Sequence, residues 1–186
     1  MEREFELAVT WWPYELHPEI PPGGVPVEAL ATGSRLSAQY RDYLKEYAAE
    51  ADITLASKRI VSNSHRALEL AEFARDRGRF QAVHDRLFAA YFEEGLDIGD
   101  ETVLAEIASG AGLDAAEWQA EMVAGRYRDL VNRTTQIARE RGFTSTPTMV
   151  FDDRFMIPGA QDMIVYRDVL RRMGATPRES EESPGT

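Results

Sequence analysis

The chain has 186 residues, no cysteine and a formal net charge of -11 at pH 7. The length suits one domain, or one domain carrying an inserted subdomain, and the acidic balance argues against a nucleic-acid partner, which would need a basic face. The lack of cysteine excludes disulfides, thiolate metal sites and a cysteine nucleophile within these residues.

Phe5, Leu7, Val9 and Trp11 alternate with Glu6, Ala8 and Thr10, which predicts a strand over about residues 5–9, ended by Pro13. The opening residues are charged and lack the basic-then-apolar layout of a signal peptide, so a cytoplasmic protein is expected. Pro18, Pro21, Pro22 and Pro26 gather around Gly23-Gly24 and predict an irregular connection. From about Ser34 to Gly142 the pattern is helical. Ala67, Leu70, Ala71 and Ala74 repeat at helical spacing up to Gly78; Phe80, Val83, Leu87 and Tyr91 do so up to Gly95. Asp100 and Asp114 each stand as the capping residue of a further helix, and Tyr127, Leu130, Val131, Thr134, Ile137 and Ala138 mark a last one before Gly142. Strand pattern then returns over Met149–Phe151 and Phe155–Ile157, joined by a turn at Asp152-Asp153. A final helix carries Met163, Tyr166, Leu170 and Met173 on one face. Residues 175–186 are polar and acidic with scattered proline and glycine, and predict a disordered tail. No apolar run is long enough to predict a membrane span.

Candidate functional residues are few. His17, His65 and His84 share no metal-ligand spacing, so no metal site and no cofactor are expected. His65 opens a helix, where capping or packing is the ordinary role; His84 lies beside the Val83/Leu87 face as a boundary residue. Asp152-Asp153 is explained as a hairpin turn. Trp11 and Trp12 end the first strand on opposite faces, one expected to pack on the helical block and the other, Trp12, to line a groove. Pro147 heads an apolar run, a position open to proline because the first residue of a strand needs no ladder donor there.

The order strand, helical block, strand, strand, helix leads to a resemblance. "STPTMVFDDRFMIPGAQ" resembles the cis-proline strand and following hairpin of thioredoxin-fold proteins, most of all the DsbA-like group that includes FrnE-type thiol-disulfide oxidoreductases. "WWPYELHPEIPPGG", "SNSHRALELAEFA" and "LFAAYFEEGLDIGDETVLAEIASGAGLD" are similar to the same group and follow in the same order. The resemblance implies a thioredoxin-like α/β fold over residues 1–174 with a helical insertion over about 34–142. It implies a cis Thr146-Pro147 peptide, with Thr146 offering its backbone to an extended peptide or to glutathione, a β-augmentation contact. Thr146, Pro147, His65 and Trp12 are thereby the expected substrate-binding residues.

The implied chemistry is thiol-disulfide exchange, of the protein disulfide isomerase kind, on peptide or protein thiols. Such proteins place a first strand and a C-x-x-C helix before the strand that begins at Phe5, and here only "MERE" precedes it. No catalytic residue is therefore assigned, and a truncated or inactive form is expected. Two alternatives stand beside this. One is a non-catalytic peptide-binding or chaperone-like module. The other is a relative of glutathione-dependent isomerases and transferases, of the 2-hydroxychromene-2-carboxylate isomerase or kappa-class type, with Asp162 near the glutamyl end of glutathione. With its middle strand missing, the Phe5–Val9 strand is expected to pair with Met149–Phe151, or a homodimer to form through exposed strand edges.

Overall fold

The computed structural model describes residues 1, 4–30, 45–49, 52–57 and 60–178. Two compact units emerge, residues 13–137 and residues 1–12 with 138–186. Among the described residues no helix is long and apolar enough to cross a membrane.

The unit of residues 13–137 opens with the proline-rich connection. Within it a short antiparallel ladder joins β1 (Val25–Pro26) to β2 (Ile60–Val61), and a 3-10 turn over Val27–Leu30 follows β1. Regular secondary structure was not expected in the proline-rich segment, and residues 52–57 and 60–63 of the expected helical zone are not helical. Gly24 explains the turn into β1: it has φ 72°, and a Cβ there would lie 2.8 Å from the Val61 carbonyl oxygen. Residues 31–44 of the expected insertion lie outside the described residues.

The helices follow as α1 (His65–Arg75), α2 (Phe80–Phe88, continued by a π-turn over Ala89–Glu93), α3 (Glu101–Gly110), α4 (Ala115–Ala124) and α5 (Arg126–Glu140). Two of them start where their aspartates dictate. Asp100 accepts from the Thr102 and Val103 amides at 2.7 and 3.2 Å, and Asp114 from those of Ala116 and Glu117 at 2.8 and 3.2 Å. Gly125 closes α4 in the left-handed region, φ 74°. Leu70, Phe73, Val83, Leu104, Trp118 and Tyr127 are almost fully buried in one core. The Phe73 ring lies 5.4 Å from that of Trp118 and meets Tyr127 edge-on at 5.9 Å. Arg77 caps this cluster: its guanidinium covers the Phe73 ring at 3.5 Å, donates to the Phe73 carbonyl and is ion-paired with Glu117.

The other unit holds one hairpin, β3 (Thr148–Phe151) with β4 (Phe155–Pro158), and α6 (Met163–Arg172). Asp152 and Asp153 turn the hairpin with φ 48° and 52°, values that short polar side chains tolerate. The strand expected over residues 5–9 does not form. Phe5 alone makes a bridge, to Pro177, and residues 6–12 have no regular structure. Period-two alternation supplies a face to bury but no hydrogen-bond partner, and a strand needs both. The expected pairing with Met149–Phe151 is likewise absent, since β3 pairs only with β4 among the described residues. The chain's two ends meet instead: the Glu6 amide donates to the Thr176 carbonyl at 3.0 Å and the Arg178 amide to that of Glu4 at 2.9 Å. Glu4 holds Arg167 of α6 through two bonds of 2.7 Å. Residues 175–178 of the expected tail are thus laid against the first residues, and 179–186 lie outside the described residues.

Candidate functional site

The sequence-predicted residues divide between the two units. Thr146, Pro147 and Trp12 belong to the unit with the hairpin, and His65 to the helical one.

The Thr146-Pro147 peptide is cis, and both residues are exposed at the entrance to β3. The flanking backbone is pinned on either side. The Pro147 carbonyl accepts from the Gly159 amide at 2.8 Å, and the Thr148 hydroxyl donates to the Ser145 carbonyl at 2.7 Å. Thr146 itself lies between these anchors, and its N–H and C=O have no partner among the described residues. The β3 edge that faces away from β4 is also unpaired among the described residues. Val150 and Met156, opposite each other in the hairpin, are both exposed, as is Phe155. A free backbone edge beside apolar side chains is what an extended peptide can extend as an added strand.

Trp12 is 61% exposed and Trp11 47%, so neither packs on a buried face. His17 is exposed and bonded to Glu19 at 2.8 Å. His84 is stacked on Phe88 at 4.6 Å and tilted against Phe80 at 5.5 Å, an aromatic packing role. Asp162 precedes α6 with an exposed carboxylate that makes no bond to the helix amides.

His65 occupies the first position of α1, where its amide donates to the Asn63 side chain at 2.9 Å. Its ring stands between two carboxylates and is hydrogen-bonded to one of them. Nδ1 lies 2.8 Å from Glu15 Oε2, and Nε2 lies 3.5 Å from Glu69 Oε1. Glu15 and Glu69 are both buried, at 3% and 5% exposure. Burial pushes the Glu69 carboxyl up, against the opposing pull of His65, Arg66 and Arg128. The three groups line an open cleft of about 680 Å³ in the helical unit.

The sequence pattern missed Glu15 and Glu69. Glu69 carried a readable signal. His65, Glu69 and Glu72 stand at i, i+4 and i+7, so they share one face of a helix whose neighbouring positions are apolar. Glu15 had none, since nothing in its proline-rich surroundings fixes where its side chain goes.

With this geometry established, comparisons with known proteins give a consistent picture. A model of the DSBA-like thioredoxin domain matches residues 1–171. The uncharacterized protein YwbO of Bacillus subtilis is 25% identical over 166 residues, which cover 89% of this chain and 82% of that protein. Among solved structures, a probable DsbA oxidoreductase from Streptomyces coelicolor is 26% identical. It matches with a TM-score of 0.75 over 93% of this chain and 76% of its own. A 2-hydroxychromene-2-carboxylate isomerase, 20% identical, matches with a TM-score of 0.64 over 83% and 78% of the two chains, a likeness of fold.

Proposed function

The chain belongs to the DSBA-like thioredoxin domain family, and from that premise we propose that its 186 residues act as a substrate-holding module for thiol-disulfide exchange without supplying the thiol. The observation that carries this reading is the exposed backbone of Thr146, unpartnered among the described residues and continuous with the unpaired edge of β3. An extended peptide laid there gains main-chain hydrogen bonds at Thr146, and a side chain on its exposed face meets Val150 of β3. The same residues contain no cysteine, so electrons cannot pass through a thiolate of their own. His65 belongs to a different site in this reading.

The test is a titration of the isotopically labelled chain with an extended peptide containing cysteine, and with its serine counterpart, followed by amide chemical shifts. Saturable shifts centred on Thr146 to Val150 for both peptides are expected, together with no turnover in a disulfide-reduction assay. Shifts confined to other parts of the chain would remove the reading, and so would turnover by the pure chain. Glutathione is the second ligand to titrate. The glutathione-dependent alternative draws on the uncapped carboxylate of Asp162, and shifts at Asp162 and Met163 in preference to Thr146 would favour it.

A further inference from the structure

The Glu15–His65–Glu69 cleft is not used by the peptide edge, and it is built differently. Glu69 is more than nine-tenths buried and no described residue donates a hydrogen bond to its carboxylate, which opens only on the cleft it lines. His65 Nε2 faces it at 3.5 Å without bonding to it, and that nitrogen is itself buried without a hydrogen-bond partner. A carboxylate so nearly enclosed is ordinarily paired, and here the cleft is the one side from which a donor can reach it.

The cations nearby do not supply the missing bonds. Arg66 is ion-paired with Glu101 and directed at the Met122 sulfur at 3.3 Å. Arg128 lies against Gly125 and beside Asp129 at 3.4 Å. Neither donates to Glu69. Burial raises the Glu69 carboxyl, which fits a carboxylate held without enough compensating donors.

We propose that this cleft is a binding site for an organic ammonium group, received by Glu69 and carried on an alkyl stem that lies along the apolar wall of Pro18, Pro22 and Met122. An ammonium brings three directional donors and a full charge, which answers the bonds that Glu69 lacks. A bare metal ion fits less well. Among the described residues no three carboxylate or histidine donors converge on one point, because the His65 ring stands between the two glutamates. The apolar residues suit methylenes, and a cleft of about 680 Å³ has room for a stem of several. The ammonium can come from a free small amine or from a lysine side chain of a polypeptide.

The labelled 186-residue chain is titrated with n-butylamine and with n-butanol, and then with a capped peptide bearing one central lysine and with its norleucine counterpart. Saturable shifts of the His65, Arg66 and Glu69 amides are expected for the two ammonium ligands, and none for the two neutral ones. A lysine peptide that binds at least about tenfold tighter than butylamine assigns the source as a polypeptide, and equal affinities assign a free amine. Glu69→Gln should weaken ammonium binding by about tenfold or more. If that variant does not fold, the wild-type shift map still decides. Equal responses to amine and alcohol, shifts outside the cleft, or unchanged affinity in a folded Glu69→Gln protein would each overturn the proposal.

Discussion

The largest fully buried side chains all lie in residues 13–137, whereas several large side chains among the described residues of 1–12 and 138–178 stand in water. In the helical unit Leu70, Phe73, Leu104, Trp118 and Tyr127 are each at most 2% exposed. In the other, Trp12, Val150, Phe155, Met156 and Ile164 are between 39% and 69% exposed. The difference comes from where backbone hydrogen bonds close. A helix satisfies its own amides, so α1 to α5 and their caps can complete a core with little outside help. A strand borrows its partner, and the hairpin has no third strand among the described residues to continue it. Stability therefore resides in the helical unit, and the capacity to add a strand resides in the other.

The most direct way to break this contrast is truncation on both sides of it. Phe73→Ala removes a ring that touches Trp118 and Tyr127, and should cost about 3–5 kcal/mol in urea unfolding. Phe155→Ala, at a position 39% exposed, should cost less than about 1 kcal/mol. Amides of β3 and β4 should also exchange with deuterium faster than those of α1. Equal costs, or equal protection, would mean that the hairpin is held as firmly as the core.

The same contrast decides what could be read from the sequence. The helical unit was legible from α1 onward, because periodicity, aspartate caps and closing glycines are all local signals; Asp100 and Asp114 act where the pattern places them. The hairpin was legible too, since its turn and register are fixed within a dozen residues. The segment over residues 5–9 was misread because alternation describes only one of a strand's two needs. The ends' mutual pairing through Glu4, Glu6, Thr176 and Arg178 joins residues about as far apart in sequence as the chain allows, and no local signal announces it. At the candidate sites, the expectation for Thr146 and Pro147 came from resemblance rather than from local pattern, and that for His65 came without its carboxylate neighbours.

A smaller effect sharpens the comparison at single aspartates. Asp114→Ala removes the acceptor for two amides of α4 and should destabilise by about 1 kcal/mol. Asp153→Gly should act in the opposite sense. Its left-handed φ of 52° suits glycine at least as well as aspartate, so the hairpin should gain a few tenths of a kcal/mol. Thermal unfolding of the two variants measures both. Loss of stability in Asp153→Gly would show that the aspartate side chain does more in the turn than accept its geometry.

The smallest effect expected is the pH response of one glutamate in each unit, and the two should have opposite signs. Glu4 is bonded to Arg167, and that bond holds its carboxyl below the usual carboxylate range. Its contribution to stability is therefore present above the unfolded-state value and fades as pH falls through the lower folded-state value. Glu69 is pushed up by burial. Its protonated form is favoured in the folded chain, so its contribution is fully present below the unfolded-state value and is lost as pH rises through the higher folded-state one. Acidification from neutral pH should thus relieve the helical unit first and then loosen the contact between the chain's ends. Carboxyl-carbon titrations should find Glu69 protonating above, and Glu4 below, the ordinary glutamate value of 4.5. Glu69→Gln should raise the melting temperature at pH 7 more than at pH 4, while Glu4→Gln should lower it at pH 7 and leave it nearly unchanged once the wild-type carboxyl is protonated. If both glutamates titrate together at the ordinary value, the electrostatic half of the contrast between the units disappears and only the packing half remains.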